Sequence, residues 1–396
     1  ALASPIGAKP LRTLASSTAS VCIVVDDITR PTPAWLLLPG IMKTLSDSGV
    51  KQENISIVFA VGLHRAMTED EMGEKVGRDI MKGVRCINHN CYDTTSLTHL
   101  GRTSRGTEVR VNTTVVRADL RILVGIVEPH VQAGFGGGFK NILPGVAGAE
   151  TIGHNHYLGA SDKYFSMIGW EPEDNLMRMD IEETGRMLPG STCIVNTVLN
   201  PEMEVVRIVA GDPVLAHREG LKTARRIYGV RIPKRADIVL TDSFPMDTGF
   251  RQDVKSVANT LFAAKEGGTI MALWRCRKAF DGMKVSIPRV IPPLGMVSRV
   301  LRVLGSRGIK FVTEKFLSRK LPEDKFFTYF ALQALRRNAF LVYSPTLYAE
   351  LGPLARSFPL FNDLDTMIEK AHEKHTRADV VIFPRGGVTY PVLEEK

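Results

Sequence analysis

The amino-acid sequence predicts an α/β protein with two domains, mainly parallel sheets, and an active site in the cleft between the domains. Short β-branched runs alternate with helical stretches, which is typical of α/β folds. At 396 residues the chain is also long for a single hydrophobic core. The predicted strands cover residues 21–25, 55–61, 121–126, 238–241, 270–273, 340–343 and 380–383.

Two helices have clear sequence boundaries. Thr68 and Glu71 form a capping-box pattern, which predicts a helix beginning after Thr68. A second helix is predicted to begin at Asp212-Pro213 and to end near Tyr228, because Gly229 follows.

An Arg-Ala-Asp phrase occurs three times, at Arg117, Arg235 and Arg377, each time before a predicted strand. The Ala-Asp pair is predicted to mark the loop that leads into the strand. We interpret the repeat as one α/β unit used in two domains, residues 1–230 and 231–396.

The composition excludes several classes of protein. Apolar residues make up 44% and charged residues 23%, as in ordinary globular enzymes. The net charge of +9 is spread along the chain, which favours small anionic substrates over nucleic acid. No apolar run approaches the ~20 residues of a membrane span. The five scattered cysteines favour a reducing compartment, so we predict a cytoplasmic protein. Because the chain starts at Ala1, we expect the natural N-terminus to precede it.

Polar loops follow four of the predicted strands. They begin at Asp26, Gly62, Glu128 and Asp247, and the last continues to Lys255. Ligands of open α/β sheets bind beyond the carboxyl ends of the strands. The four loops are therefore predicted to converge on a single site.

The segment from His130 to His156 contains a run of glycines that ends at Lys140. Glycine lets the main chain approach a phosphate or a cofactor closely, and the lysine suits a charge partner or a covalent anchor. A nucleotide P-loop is excluded, because Phe139 and Asn141 replace the required glycine and Ser or Thr.

Four histidines are candidates for chemistry. His64 and His130 follow strands, and two imidazoles facing one pocket could exchange protons with either face of a substrate. His154 and His156 form either a polar turn or a pair of which one binds a metal.

Gln252 and Lys255 lie one helical turn apart, after Arg251. They could hold a substrate carboxylate, or they could lie on a solvated helix face.

Taken together, these motifs resemble the nickel-pincer nucleotide enzymes typified by lactate racemase. The similar blocks are, in order, DDITRPTP, GLHRAMTEDE, HVQAGFGGGFK, HNH, RQDVK and FPRGGVTYP. The likeness covers nearly the whole chain from about residue 5, without the family's N-terminal segment.

The resemblance implies a role for each block. Lys140 would carry the cofactor, pyridinium-3,5-bisthiocarboxylic acid mononucleotide with nickel, through a thioamide bond, and His156 would be the protein ligand to nickel. His64 and His130 would be the acid/base pair. The residues implied to contact the cofactor or its phosphate, or to line its cleft, are Asp27, Arg30, Gly136, Gly137 and Gly138. Those implied to contact the substrate are Arg30, Gln252 and Lys255.

The implied reaction is racemisation or epimerisation of a 2-hydroxy acid. Its α-hydrogen is too weakly acidic for a histidine to remove, so it leaves as hydride while one histidine takes the hydroxyl proton. The sequence departs from lactate racemase at two positions: Arg251 stands where that enzyme has an aromatic residue, and Phe326 where it has a tryptophan. Both departures bear on which 2-hydroxy acid is the substrate. Because the guanidinium of Arg251 could pair with a second carboxylate, we predict a dicarboxylic substrate, malate first.

Alternatives remain open. The substrate could be lactate or a sugar acid, or the chain could be a non-catalytic module that binds nickel or phosphate. The expected partners are a small 2-hydroxy acid and, transiently, the proteins that make the cofactor.

Overall fold

The computed structural model describes residues 1–280, 292–316 and 322–394. Its strands are β1 (Val21–Asp26), β2 (Ile55–Ala60), β3 (Arg85–Asn88), β4 (Leu97–Arg102), β5 (Glu108–Asn112), β6 (Leu120–Ile126), β7 (Pro129–His130), β8 (Gly134–Phe135), β9 (Ser191–Leu199), β10 (Val205–Gly211), β11 (Gly229–Ile232), β12 (Ala236–Asp242), β13 (Ala264–Leu273), β14 (Ala339–Tyr343), β15 (Leu360–Phe361), β16 (Val380–Phe383) and β17 (Tyr390–Leu393).

The α-helices are α1 (Leu11–Leu14), α2 (Ala34–Asp47), α3 (Glu69–Val76), α4 (Arg78–Gly83), α5 (Thr113–Arg117), α6 (Ala149–Tyr157), α7 (Leu176–Arg186), α8 (Leu215–Tyr228), α9 (Phe250–Thr260), α10 (Leu294–Phe316), α11 (Pro322–Arg337), α12 (Pro345–Leu351) and α13 (Leu364–His372). Among the described residues, no helix is both long and apolar enough to span a bilayer.

The first sheet has six strands in the order β10-β9-β6-β1-β2-β3. All neighbours are parallel except β9 and β10, which are antiparallel. Every residue of β1 and β6 is buried, because apolar clusters cover both faces of this sheet. A strand buried on both faces carries a continuous apolar run, which is why the sequence revealed these strands.

The second sheet has five parallel strands in the order β15-β14-β13-β12-β16. A separate parallel pair joins β11 to the last strand, β17. Two small antiparallel pairs, β4 with β5 and β7 with β8, complete the sheets of the described residues. The predicted α/β class with mainly parallel sheets is confirmed.

All seven predicted strands are present. Ten of the seventeen strands in the described residues were not predicted, among them β9 and β10 of the first sheet, although both contain β-branched runs. The capping box of α3 is confirmed. The predicted start of α8 was early: Asp212 lies outside the helix, where its carboxylate accepts the N–H groups of Val214 and Leu215.

The Arg-Ala-Asp phrases lead into strands as predicted at two of their three positions. Ala118-Asp119 precedes β6 and Ala378-Asp379 precedes β16, whereas Ala236 already belongs to β12. The first sheet is built from residues 21–211 and the second from residues 236–383. A boundary near residue 230, and the reuse of one unit in two domains, stay predictions.

Candidate active site

A cavity of about 660 Å³ lies where the loops after β1, β2 and β6 meet helices α9 and α11. All four predicted polar loops contribute to it. The predicted site residues that line it are Asp27, Arg30, His64, His130, Gly136, Gly137, Lys140, His156, Arg251, Gln252, Lys255 and Phe326.

His64 is held in a defined orientation by Asp27. The Nδ1 atom of His64 lies 2.6 Å from Oδ2 of Asp27, and the carboxylate can only accept, so Nδ1–H is the donor. Burial alone would raise the pKa of Asp27, but the hydrogen bond from His64 and the charges of His64 and Arg30 outweigh it and hold that pKa low. In its neutral form His64 therefore has a free lone pair at Nε2, so it can accept a proton.

His130 has the opposite arrangement of protons. Its Nδ1 accepts the backbone N–H groups of Gln132 (3.3 Å) and Ala133 (3.1 Å), so the neutral ring carries its proton on Nε2. Burial, followed by the charges of Lys140 and Arg30, lowers its pKa well below the usual value. His130 is thus neutral near pH 7 and presents an N–H donor.

Lys140 is a buried amine in the short 3₁₀ helix Gly138–Asn141. Burial, followed by the charges of Arg30 and Arg178, lowers its pKa well below the usual value. No hydrogen bond or ion pair to its Nζ is found within the described ranges. The lowered pKa favours the neutral form of the amine, and an unpartnered amine in that form is nucleophilic and suits a covalent bond to a ligand.

The glycine run packs tightly against the end of β6 and against Asn196 within β9. A side chain at Gly136 would come within 2.8 Å of the Ile126 carbonyl, and one at Gly137 within 2.8 Å of the Asn196 amide oxygen. Gly137 and Gly138 also have positive φ angles. Glycine is therefore needed here for main-chain packing.

Gly138, which is predicted to lie beside a cofactor phosphate, is not among the residues that line the cavity. Its N–H donates to Asn196 (2.8 Å), and its α-carbon faces His217 and the Pro213 carbonyl. The reason is the tight packing of the run, which turns this third glycine toward α8.

Two buried side chains that the sequence did not indicate hold the run from behind. Arg178 donates to the carbonyl oxygens of Gly137 (3.0 Å) and Phe135. His217 Nε2 donates to the Gly136 carbonyl (2.8 Å). They come from α7 and α8, and no local pattern links them to the run.

His156 is buried and has one committed and one open nitrogen. Its Nδ1–H donates to the Ile152 carbonyl (2.7 Å), which leaves the Nε2 lone pair free. Burial lowers its pKa to about 4, so the ring is neutral, as a metal ligand must be. His154 instead faces Thr107, at 2.8 Å from Nδ1 to Oγ1, and does not line the cavity.

In the described part of the chain, no group of three or more His, Cys, Asp or Glu side chains is arranged to hold a metal ion.

Gln252 and Lys255 share the cavity-facing side of α9. Burial, followed by the charge of Arg30, lowers the pKa of Lys255 to about 7. The Gln252 side-chain oxygen is buried without a partner among the described residues. Arg251 also lines the cavity, but its side chain is exposed to solvent. The cationic groups of Lys255 and Arg251 suit an anion, whereas the Gln252 side-chain oxygen is an acceptor and calls for a donor.

Helix α9 is anchored through Asp253. Its carboxylate accepts from the Ser243 hydroxyl (2.6 Å) and from the Cys276 N–H (3.3 Å). The Gly-Gly of the FPRGGVTYP block also binds this helix, because the Asn259 amide donates to the carbonyls of Gly386 and Gly387. That block therefore positions α9 and does not line the cavity.

Arg30 forms an ion pair with Glu128, at 2.9 Å from Nη1 to Oε1. Glu128 lines the cavity, and its charge opposes the lowering of the pKa values of Lys140 and Lys255. The sequence placed Glu128 in a converging loop but gave it no role.

One wall of the cavity is apolar, and Phe326 is the one residue of this wall that the sequence indicated. The other apolar side chains of the wall come mainly from α11: Phe327, Phe330, Ala331, Ala334 and Leu335, with Phe340 of β14. Phe326 is fully buried beside α6 and approaches Gly159.

Fold and site together define a class: an α/β protein with three histidines, His64, His130 and His156, and a buried lysine, Lys140, in one cavity. The lactate racemase N-terminal domain family matches residues 1–166. Lactate racemase of Thermoanaerobacterium thermosaccharolyticum is 31% identical over 284 residues, and that of Lactiplantibacillus plantarum is 30% identical over 285. Both alignments cover 71% of this chain and 66% of the relative, just under two thirds of its length.

Two solved structures have a similar fold. The lactate racemase apoprotein from T. thermosaccharolyticum superposes with a TM-score of 0.83 at 26% identity, covering 100% of this chain and 91% of that one. A Thermotoga maritima protein shares the fold, with a TM-score of 0.68 at 18% identity over 97% and 96% of the two chains. Residues 1–166 thus match the lactate racemase N-terminal domain family, and the chain as a whole is similar in fold to lactate racemase.

Proposed function

We propose that this protein is a racemase or epimerase of a 2-hydroxy acid that uses a nickel-pincer nucleotide and histidine acid/base catalysis. The observation that carries the proposal is the pairing of two histidines with opposite proton arrangements in one cavity. His64 offers a lone pair at Nε2, and His130 offers an N–H. A carboxylate-binding Lys255 lines the same cavity.

The residues fit the cofactor. Lys140 would supply a buried amine of lowered pKa for the covalent bond, and His156 would supply a neutral imidazole with a free Nε2. When bound, such a cofactor supplies the acceptor that takes the C2 hydrogen as hydride and returns it. The proteins that make the cofactor would have to contact this chain transiently.

The chain's own residues account for binding and proton transfer. Lys255 and Gln252 bind the substrate carboxylate. His64 accepts the hydroxyl proton at Nε2, and Asp27 stabilises the imidazolium that forms. His130 polarises the C2 oxygen through its Nε2–H. For His130 to accept a proton from the other enantiomer, its ring must turn, because Nδ1 faces the Ala133 N–H.

For the substrate we propose malate first. Arg251 lines the cavity beside Gln252, where its guanidinium can pair with a second carboxylate. A second candidate, lactate or another 2-hydroxy acid with a hydrocarbon side chain, is supported by the apolar wall of α11.

Chiral chromatography after incubation of cofactor-loaded protein with L-malate and, separately, L-lactate tests the proposal. D-malate well above D-lactate supports the dicarboxylate. D-lactate alone keeps the racemase and rejects malate as substrate. If neither D-malate nor D-lactate forms while nickel is bound, the protein has no turnover that His64→Ala or His130→Ala could abolish. A non-catalytic binding module then replaces both proposed substrates.

A further inference from the structure

We propose that a second cavity of this protein binds a small molecule bearing more than one phosphate group. The cavity measures about 790 Å³ and shares no lining residue with the first. It lies between a loop at residues 162–171, the end of α8, and strands β11 and β17. The inference is independent of the proposed racemase activity.

The lining of this second cavity is strongly basic. Its acidic side chains are Asp162, which pairs with Arg336 (2.6 Å), and Glu171, which pairs with Arg225 (2.6 Å). The cationic side chains in the lining are Lys163, Arg225, Arg226, Arg231 and Arg235.

The acidic groups thus have partners, whereas Arg226 and Arg231 form no salt bridge within the part of the chain that the structure describes. The excess positive charge attracts anions into a concave surface.

Two buried donors in the lining also lack a partner. The Ser166 side chain is 2% exposed, and its hydroxyl makes no hydrogen bond among the described residues. The Nη2 group of Arg225 is buried and equally without a partner there. Buried polar groups in native proteins are nearly always satisfied, so unmet donors in a basic cavity indicate an acceptor ligand.

The chemistry of the donors indicates phosphate. Guanidinium groups bind phosphate oxygens through two parallel N–H donors, and a hydroxyl can donate to a third oxygen. Several arginines around one cavity favour a ligand with more than one negative charge. Trp170 and Phe262 add ring surfaces to the lining, which suit an organic portion of the ligand.

Titration calorimetry of the full chain with pyrophosphate, at constant ionic strength, tests the proposal. We expect saturable binding of one pyrophosphate per chain. Arg226→Ala with Arg231→Ala should weaken it at least tenfold, and Ser166→Ala should weaken it measurably. Arg299→Ala with Arg356→Ala removes two exposed arginines outside the cavity and should leave the affinity unchanged. ADP in place of pyrophosphate tests whether an organic group adds affinity.

Three outcomes would overturn the proposal: no saturable binding to the wild-type chain, equal affinity in the Arg226/Arg231 variant, or loss of binding in Lys255→Ala. The last result would assign the anion to the first cavity. Thermal melts check that each variant folds. If the double variant does not fold, the single variants Arg226→Gln and Arg231→Gln replace it in the binding test.

Discussion

The imidazole of His64 and the carboxylate of Asp27 are joined by a 2.6 Å hydrogen bond between side chains 37 residues apart. This contact decides which nitrogen of His64 faces the cavity with a lone pair. Asp27 is therefore a positioning residue for proton transfer, in addition to lining the site.

Asp27→Asn should reduce kcat by about 10²–10⁴-fold with little change in KM, because the amide can stabilise the wrong tautomer of His64. Steady-state racemisation kinetics on the cofactor-loaded enzyme measure this. Asp119→Asn, at an exposed carboxylate that accepts from Ser20, is the matched control. A changed KM with unchanged kcat would contradict the positioning role.

His156→Ala should abolish nickel retention, whereas His154→Ala should keep it. The reason is that Nε2 of His156 faces the cavity, while His154 binds Thr107 outside it. Nickel per chain is measured by elemental mass spectrometry after loading and desalting, and intact mass reports the cofactor on Lys140. Equal nickel contents in the two variants would contradict the assignment.

Binding of a carboxylate should weaken as the pH rises above 7. The pKa of Lys255 is about 7 in the free protein, and a bound carboxylate favours the ammonium and raises that pKa. Binding is then strongest below pH 7, and the dissociation constant rises up to about tenfold per pH unit above it.

Calorimetry with pyruvate between pH 6 and 9 measures this dependence. Lys255→Arg should flatten it, since the guanidinium stays charged. A wild-type dissociation constant that is constant over this range would exclude Lys255 as the carboxylate partner.

Arg251→Tyr should lower kcat/KM for malate by at least about tenfold and change kcat/KM for lactate by less than about threefold. The reason is that malate has a second carboxylate, which loses its charged partner in the variant, whereas lactate has none. Competition between the two substrates, followed by chiral chromatography, measures the ratio. Unchanged malate turnover would reject the role of Arg251, and the apolar wall of α11 would then favour a hydrocarbon side chain.

Arg178→Met should lower the free energy of unfolding by about 3 kcal/mol, because buried carbonyls of the glycine run lose their charged donor. Urea denaturation followed by circular dichroism measures the change. Arg12→Met, at an exposed arginine, should change stability by less than about 0.5 kcal/mol. Equal stabilities of the two variants would show that Arg178 does not support the run.

The sequence by itself determined strands such as β1 and β6, because strands buried on both faces are continuous apolar runs. It also determined the N-terminal cap of α3, because a capping box is set by neighbouring residues. It also indicated where the polar loops meet, since parallel strands present their carboxyl ends at one edge. Strands β9 and β10 were missed although their residue types suit strands.

Only the tertiary structure decided how the site is supported. Arg178 lies 41 residues from Gly137, and His217 lies 81 residues from Gly136, so no local pattern could link them. The tautomers of His64, His130 and His156 likewise depend on their hydrogen-bond partners in the fold. The apolar wall of α11 became part of the cavity only through packing beside α6. Such contacts depend on the path of the whole chain, which is why a segment-by-segment sequence pattern does not contain them.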